Sequence, residues 1–239
     1  MTTTVTNIGV ADSQVGHHLA WLASETGGIA GQSVLAPRPI YGLCKRTLDV
    51  HLALVALLVA VPVLLVVALT VRFSSRGPIL FRQTRIGMYG RPFTCLKFRT
   101  MVKDAERVLE MDPDLAARFV TCFKLQQDFR VTRVGSILRK LSLDELPQLL
   151  NVIRGDMSLV GPRPVPAEEL RTKYGPAAPH IVSVRPGLTG LWQVSGRSNT
   201  SYEQRVQLDL SYVQRRSPLL DTWIVVRTPI ALLTMRGAH

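Results

Sequence analysis

Cysteine and histidine are scarce in this sequence, and neither is grouped as a metal or disulfide site requires. The 239 residues include three cysteines and five histidines. Cys44, Cys95 and Cys122 are isolated, so no CxxC pair exists, and only His17 and His18 are neighbours. Zinc ribbons and disulfide frameworks need paired or regularly spaced ligands. We therefore exclude both and expect reduced thiols facing the cytosol.

Acidic and aromatic residues are also few. Seventeen Asp and Glu face 29 Lys and Arg, which gives a net charge of +12, and aromatics make up 6% of the chain. A net positive charge of this size favours binding to anionic partners. The few aromatics are not interleaved with the basic residues and no nucleic-acid motif is present, so we expect no nucleic acid as partner. A non-enzymatic basic membrane protein that binds anionic lipid or nucleic acid is one alternative. A membrane enzyme that phosphorylates or hydrolyses a lipid phosphate is another, although the chain lacks a Walker loop.

One long apolar segment dominates the first third of the chain. Residues 47–71, TLDVHLALVALLVAVPVLLVVALTV, contain only Asp49 and His51 as groups able to ionise. At a rise of ~1.5 Å per residue they form a helix of roughly 37 Å, longer than the ~30 Å core of a bilayer. Length alone therefore favours a helix that spans the membrane.

Two features of this segment favour a re-entrant helix instead. Pro62 lies at its centre, where a proline removes a backbone hydrogen bond and kinks a helix. Basic residues flank both ends: Lys45 and Arg46 before the segment, and Arg72 and Arg76 after it. A spanning helix has basic bias on one side. We therefore predict a monotopic anchor that enters the membrane, bends at Pro62 and leaves on the same face.

The rest of the chain predicts a helix-rich α+β protein with few short strands. Residues 1–44 are rich in Thr, Gly, Ser and Ala, and we interpret them as a poorly ordered extension with a short helix near His17–Ser24. Residues 45–72 form the membrane helix, and residues 73–239 a small cytosolic domain. The predicted elements of that domain are strands at Ile79–Phe81 and Phe93–Phe98 and helices at 103–127 (broken at Asp112–Pro113), Ser136–Ile153 and Tyr202–Arg216.

The final apolar stretch, LLDTWIVVRTPIALLTM, is interrupted by Asp221, Arg227 and Pro229. It suits an amphipathic helix that lies in the membrane interface with Trp223 at headgroup depth. A buried core helix is the alternative for this segment.

A pair of neighbouring acids, Asp144 and Glu145, lies in the stretch LSLDELPQLLNVIRGDMSLVGPRP, residues 141–164. Ser142 and Glu145 have the spacing of a capping box, and Pro147 restricts the helix to a start near Asp144. Acids at a helix N-terminus are common caps. However, adjacent helical residues point about 100° apart, so two acids can also serve two roles at one place, one as metal ligand and one as nucleophile. Arginines around them suit phosphate oxygens.

The chain resembles the bacterial sugar transferase family, the small monotopic polyprenyl-phosphate phosphoglycosyl transferases. The matching blocks are KRTLDV (45–50), GPILFRQTRIG (77–87), KFRTM (97–101), the stretch at 141–164, RPGLTGLWQVSGR (185–197) and the closing LDTWIVV region. The resemblance implies a UDP-sugar donor, a polyprenyl phosphate acceptor such as undecaprenyl phosphate, Mg²⁺ as cofactor, and a place at the cytosolic face of the bacterial inner membrane. The resemblance does not decide whether the protein forms a homo-oligomer.

By the same resemblance, Asp144 matches the family's nucleophile and Glu145 its Mg²⁺ ligand. Asp144 would attack the sugar-bearing phosphorus, expel UMP and form a sugar-phospho-aspartyl intermediate, which the lipid phosphate then attacks. Phosphate or substrate binding is expected of Lys97, Arg99, Arg139, Arg163, Arg185, Gln193 and Arg197, the last three being equally able to stabilise a loop. Asp156 is expected to hold the loop or an arginine.

Overall fold

The computed structural model describes residues 38–105, 111, 128–196 and 200–233. The helix predicted near His17–Ser24, most of the helix predicted at 103–127, and Arg197 lie outside these residues. Over the described part the protein is rich in helix, with four short strands in two separate pairs. The predicted helix-rich architecture with few strands is therefore confirmed, while the division of the chain at residues 44 and 72 stays a prediction.

Helix α1 (Pro39–Ser74) is 36 residues long and begins six residues before the predicted membrane segment. Pro39 occupies the first helical position, where the backbone N–H that proline lacks would have no partner within the helix. The helix continues through Pro62. Within the described part of the chain, it is the one helix that is both long enough and apolar enough to cross a membrane. Its middle is uncovered: Leu58 and Val59 are 74% and 73% exposed.

The first turns of α1 are bound to the rest of the protein by polar groups. The Arg46 guanidinium donates to the carbonyl oxygens of Val152 and Ile153 at 2.5 and 2.8 Å. The Asp49 carboxylate, which is buried, accepts hydrogen bonds from the Ser158 hydroxyl at 2.7 Å and from the Leu159 amide at 3.2 Å. These bonds fix the amino-terminal half of the helix on the globular part.

The last turns of α1 are bound to the same globular part. Arg99 donates to the carbonyl oxygens of Ser75 at 2.6 Å and of Val71 at 3.4 Å. Val67 and Val71 pack with Phe98 in one apolar cluster. Both ends of the apolar helix therefore contact one body of protein, while its predicted re-entrant course stays a prediction.

Strands β1 (Leu80–Ile86) and β2 (Pro92–Phe98) form an antiparallel hairpin in which Leu80 faces Phe98 and Ile86 faces Pro92. The predicted second strand is confirmed within a residue. The first was predicted too short, because Arg82, Gln83 and Arg85 interrupt its apolar pattern although they lie in the strand.

The helix predicted at Ser136–Ile153 is wrong as one element, since the structure divides it into three. These are α2 (Arg133–Lys140), a 3₁₀ turn (Leu143–Glu145) and α3 (Gln148–Arg154). Ser142 breaks the helix with a left-handed backbone at φ 54° and makes no capping hydrogen bond through its side chain. The predicted capping box is therefore wrong.

Strands β3 (Ser158–Val160) and β4 (Gly187–Thr189) pair in parallel. Their backbones come very close at Gly161 and Gly187. A Cβ atom at Gly161 would lie 2.5 Å from the Arg185 carbonyl oxygen and 2.8 Å from the Gly187 amide nitrogen. Only glycine fits there, because real Cβ atoms do not approach backbone so closely.

The remaining α-helices all contribute side chains to one apolar cluster. In chain order they are α4 (Ala167–Glu169), α5 (Ala178–Ile181), α6 (Leu191–Ser195), α7 (Tyr202–Arg215) and α8 (Pro218–Leu233). The prediction of α7 is confirmed, and Ser201 and Gln204 form a complete capping box at its start. Helix α8 buries Ile224 fully but leaves Leu219 84% and Val226 63% exposed. One face of α8 is thus core and the other is uncovered and apolar.

Candidate active site

An open cleft lies between the hairpin, the 3₁₀ turn, α1 and the carboxyl-terminal helices. Asp144 and Glu145 line it, together with Lys97, Arg139 and Arg163. Of the residues expected to bind phosphate, these three basic ones lie beside the acids. Lys97 lies on the second strand of the hairpin, so the fold brings this cation to the two acids from a distant part of the sequence.

The tight turn after Ser142 presents the two acids. The Glu145 amide donates to the Ser142 carbonyl oxygen at 3.3 Å, which closes the turn. Asp144 is only 8% exposed, and Glu145 follows it on the same turn. Because the turn is short and α3 starts three residues later, both carboxylates are held on a rigid piece of backbone.

Two cations hold the Glu145 carboxylate. Lys97 Nζ lies 2.7 Å and Arg163 Nη2 lies 2.9 Å from the same oxygen, Oε1. Arg163 stands between Pro162 and Pro164, which restrict its backbone. Burial alone would raise the pKa of Glu145, but the charges of Arg163 and Lys97 outweigh it and hold this pKa well below its usual range.

Asp144 has the opposite electrostatics. Burial and the neighbouring negative charge of Glu145 raise the pKa of Asp144 to about 6, against the opposing charges of Lys97, Arg139 and Arg163. Two neighbouring carboxyls with pKa values pushed apart are typical of sites that use them for different tasks. A carboxylate with a raised pKa is a better nucleophile than an ordinary one and is still ionised near neutral pH.

Arg139 and Arg85 extend the basic lining. Arg139 Nε donates to the Thr100 hydroxyl at 2.9 Å, and its charge acts on Asp144. Arg85, which the sequence reasoning did not single out, donates weakly to the Pro164 carbonyl oxygen at 3.4 Å and lies 4.0 Å from the Glu169 carboxylate. Its place in the QTRIG block of the family resemblance was the available signal.

Of the other residues expected at the site, Arg99 and Gln193 line the cleft, whereas Arg185 and Asp156 do not. Arg99 touches the cleft, but its guanidinium is bound to the end of α1. Arg185 Nε donates to the Gly155 carbonyl oxygen at 2.9 Å, and Asp156 accepts from Asn151 at 3.1 Å. Gln193 is buried beside the cleft, 3.4 Å from the Leu188 carbonyl oxygen. The roles predicted for these residues stay predictions, and the contacts of Arg185 and Asp156 are those of loop-holding groups.

One end of the cleft is apolar and lies against the membrane helix. Its walls are Leu52, Val55, Ala56 and Val59 of α1 and Val225, Pro229 and Leu232 of α8. Because the same helices expose apolar side chains outside the cleft, this end opens toward the surface that a bilayer would cover.

The residues present fit a magnesium ion bound together with a substrate. Within the described ranges no group of three or more His, Cys, Asp or Glu residues could hold a metal. Mg²⁺, however, needs only one or two protein carboxylates when water and substrate phosphates complete its octahedron. Glu145 can supply one such carboxylate, because its low pKa keeps it ionised at neutral pH.

A buried acid pair surrounded by cations, beside a helix apolar enough for a membrane, is typical of an enzyme that handles phosphorylated substrates at a membrane surface. The family model "Bacterial sugar transferase" matches residues 40–235. The chain belongs to the bacterial sugar transferase family.

Its curated relatives include whole proteins of the same size. It is 49% identical to "Exopolysaccharide production protein ExoY" of Sinorhizobium fredii over 92% of this chain and 95% of that one. It is 46% identical to "UDP-glucose:undecaprenyl-phosphate glucose-1-phosphate transferase" of Caulobacter vibrioides over 85% and 74%. It is also 41% identical to "Undecaprenyl-phosphate galactose phosphotransferase" of Salmonella typhimurium over 82% and 41%.

Proposed function

We propose that this protein transfers a sugar-1-phosphate from a UDP-sugar to polyprenyl phosphate, with undecaprenyl phosphate as the acceptor. The products are polyprenyl-diphosphate-sugar and UMP, and the step begins exopolysaccharide or related glycoconjugate synthesis. The names of the relatives support the substrates. The observation that supports the chemistry is the buried Asp144, with a raised pKa, next to Glu145 held by two cations.

In the first step an Asp144 carboxylate oxygen attacks the phosphorus that carries the sugar. The bond from that phosphorus to the bridging oxygen breaks, and UMP leaves with the electron pair. In the second step an oxygen of the lipid phosphate attacks the same phosphorus and the acyl phosphate bond breaks, which restores the Asp144 carboxylate. Two displacements let a water-soluble donor and a lipid acceptor use one site in turn.

The basic residues make this attack possible, because a carboxylate approaching a diphosphate meets like charge. Arg139 and Arg163 neutralise phosphate oxygens beside Asp144, and Lys97 keeps Glu145 ionised. Glu145 would hold a Mg²⁺ ion, which when bound would supply further charge neutralisation on the diphosphate. The low pKa of Glu145 keeps that ligand ready at any physiological pH.

The structure supports insertion of α1 from one side of the membrane. If α1 spanned the bilayer, Asp49 and Val71 would lie on opposite sides of a core of about 30 Å. Yet Asp49 binds Ser158 and Val71 binds Arg99 in the same globular part. We propose that α1 enters and leaves on the cytosolic face of the inner membrane and bends at Pro62 in the bilayer, while the apolar face of α8 lies in the interface.

UMP release tests the activity. Purified protein in nanodiscs would be incubated with UDP-sugars, Mg²⁺ and undecaprenyl phosphate. We expect UMP release that Asp144→Asn abolishes, that EDTA stops, and that Glu168→Gln, at an exposed acid outside the cleft, leaves intact. Full turnover by Asp144→Asn would exclude Asp144 as nucleophile, and unchanged turnover in EDTA would exclude the metal.

Impermeant maleimide labelling of intact spheroplasts tests the topology. Cys44 is exposed at the start of α1 and Cys95 is buried, so Cys44 serves as the first reporter in a Cys122→Ala background. Arg76→Cys, in a Cys44→Ala variant of that background, supplies the second. We expect no labelling of either until the membrane is permeabilised. Labelling of only one from outside would show a spanning helix.

A further inference from the structure

Two guanidinium groups lie near the ring of Trp192 on the wall of the cleft. Arg205 Cζ is 4.6 Å and Arg163 Cζ is 5.8 Å from the ring centroid, within cation–π distance. The indole Nε1 donates to the Thr200 hydroxyl at 2.8 Å, which fixes the plane of the ring. Arg163 is the same side chain whose Nη2 binds Glu145. The indole therefore connects Arg205 to the catalytic acid pair through Arg163.

Arg205 is held in an unusual environment. Besides Trp192, its guanidinium lies 5.0 Å from the ring of Tyr202 and 5.8 Å from that of Tyr174. It forms an ion pair with Glu169 at 3.3 Å. Its buried Nε and Nη2 find no hydrogen-bond partner among the described residues. Such groups normally cost stability, so a charge retained here needs compensation from the rings.

The far side of this cluster is anchored as well. The Tyr202 hydroxyl donates to the same Glu169 oxygen at 2.5 Å, so Glu169 fixes both Arg205 and one of its rings. The result is a continuous row of contacts in the order Glu169, Arg205, Trp192, Arg163 and Glu145. Arginine side chains are long and flexible, and every contact that restricts Arg163 lowers the entropy lost when it binds a phosphate.

We propose that Trp192 and Arg205 are positioning residues that hold Arg163 in place against Glu145 for phosphoryl transfer. The inference rests on the proposed function for its effect on turnover. Trp192 presents its ring to Arg163, and Arg205 and Thr200 fix that ring. Loss of the ring frees Arg163 to turn away from Glu145 without changing any group that reacts.

A double-mutant cycle tests the effect on turnover. We expect Trp192→Leu to lower kcat/KM about tenfold, the scale of a desolvated cation–π contact, and Trp192→Phe to restore most of it. In an Arg163→Met background, Trp192→Leu should cost less than about twofold, because residues that act through each other are not additive. Additive effects would overturn the proposal. If Trp192→Leu does not fold, Arg205→Met takes its place in the cycle with the same expectation.

Fluorine NMR tests the contact independently of activity. The chain has three tryptophans, so 5-fluorotryptophan labelling gives three resonances, and Trp192→Phe identifies the one of interest. Arg163→Met and Arg205→Met should each shift it, whereas Arg215→Gln, at an exposed arginine of the same helix as Arg205, should not. A Trp192 resonance unmoved by Arg163→Met would overturn the proposal even in an active enzyme. Absence of UMP release from the wild type, with the resonance shifted, would overturn the proposed function instead.

Discussion

Replacement of Lys97 by methionine is the perturbation whose size the structure defines best. Lys97 Nζ lies 2.7 Å from Glu145 Oε1, and both side chains are 18% exposed. A hydrogen bond to a charged group contributes about 1.5–3 kcal/mol. Arg163 remains on the same oxygen at 2.9 Å, so Glu145 is not left unpaired. We therefore expect the lower part of that range, about a tenfold to thirtyfold loss in kcat/KM.

The pH dependence of Lys97→Met gives a second readout. The nucleophile must be ionised, so activity should fall as pH decreases through the pKa of Asp144, which lies at about 6. The charge of Lys97 lowers this pKa, and its removal therefore raises it. The acid limb of the kcat/KM profile should move to higher pH.

The assay follows UMP release from pH 5 to 8 at one fixed Mg²⁺ concentration. Lys97→Arg, which keeps the charge, is the matched control and should retain the wild-type acid limb. An acid limb that stays in place or moves to lower pH in Lys97→Met would refute the electrostatic account of the acid pair.

Three further predictions concern stability, each measured by unfolding in micelles. Asn151 is fully buried; its side chain accepts a hydrogen bond from the Leu96 amide at 3.1 Å and donates one to the Thr94 carbonyl oxygen at 2.7 Å. Asn151→Leu should therefore lower the free energy of unfolding by about 1–3 kcal/mol for each backbone group left unpaired, and stability within error of wild type would contradict this. Gly161→Ala should destabilise the protein by at least about 1–3 kcal/mol, because the added Cβ atom would clash with backbone. Gly42→Ala, where an added Cβ atom would have nothing within 4 Å, should stabilise the helix by about 0.5–1 kcal/mol. Equal effects of the two substitutions would exclude the clash. Burial raises the pKa of Asp209 to about 6, above its usual value of about 3.9, so wild-type stability should fall as pH rises between these values. Asp209→Asn should make that fall smaller, the part that stays being that of Asp144 with its similarly raised pKa; an unchanged pH dependence would assign the whole fall to other groups.

The sequence predicted the elements that have one strong pattern. Helix α1 follows from an apolar run, and α7 from helical spacing. The turn that carries the acids could not be predicted in this way. The spacing of Ser142 and Glu145 matches a capping box, but Ser142 takes a left-handed backbone that its residue type rarely adopts. The turn packs against α2 and β2, so tertiary contacts rather than the local sequence select this conformation.

The two acids could be proposed as site residues from the sequence, but the sequence could not assign a partner to each arginine. Arg99 and Arg163 both stand in family blocks and both suit phosphate, yet one binds the end of α1 and the other binds Glu145. A long guanidinium reaches many partners, and only the tertiary fold selects one. Arg205 was missed for the same reason, because its aromatic partners come from three different segments.

The most direct test of the whole account is mass spectrometry of the protein after exposure to its donor without the lipid acceptor. Rapid acid quenching and digestion should show the peptide with Asp144 heavier by one hexose phosphate, and Asp144→Asn should lack the added mass. Addition of undecaprenyl phosphate before quenching should remove it. A preparation that turns over in the complete assay yet never carries this mass on Asp144 would contradict the covalent mechanism.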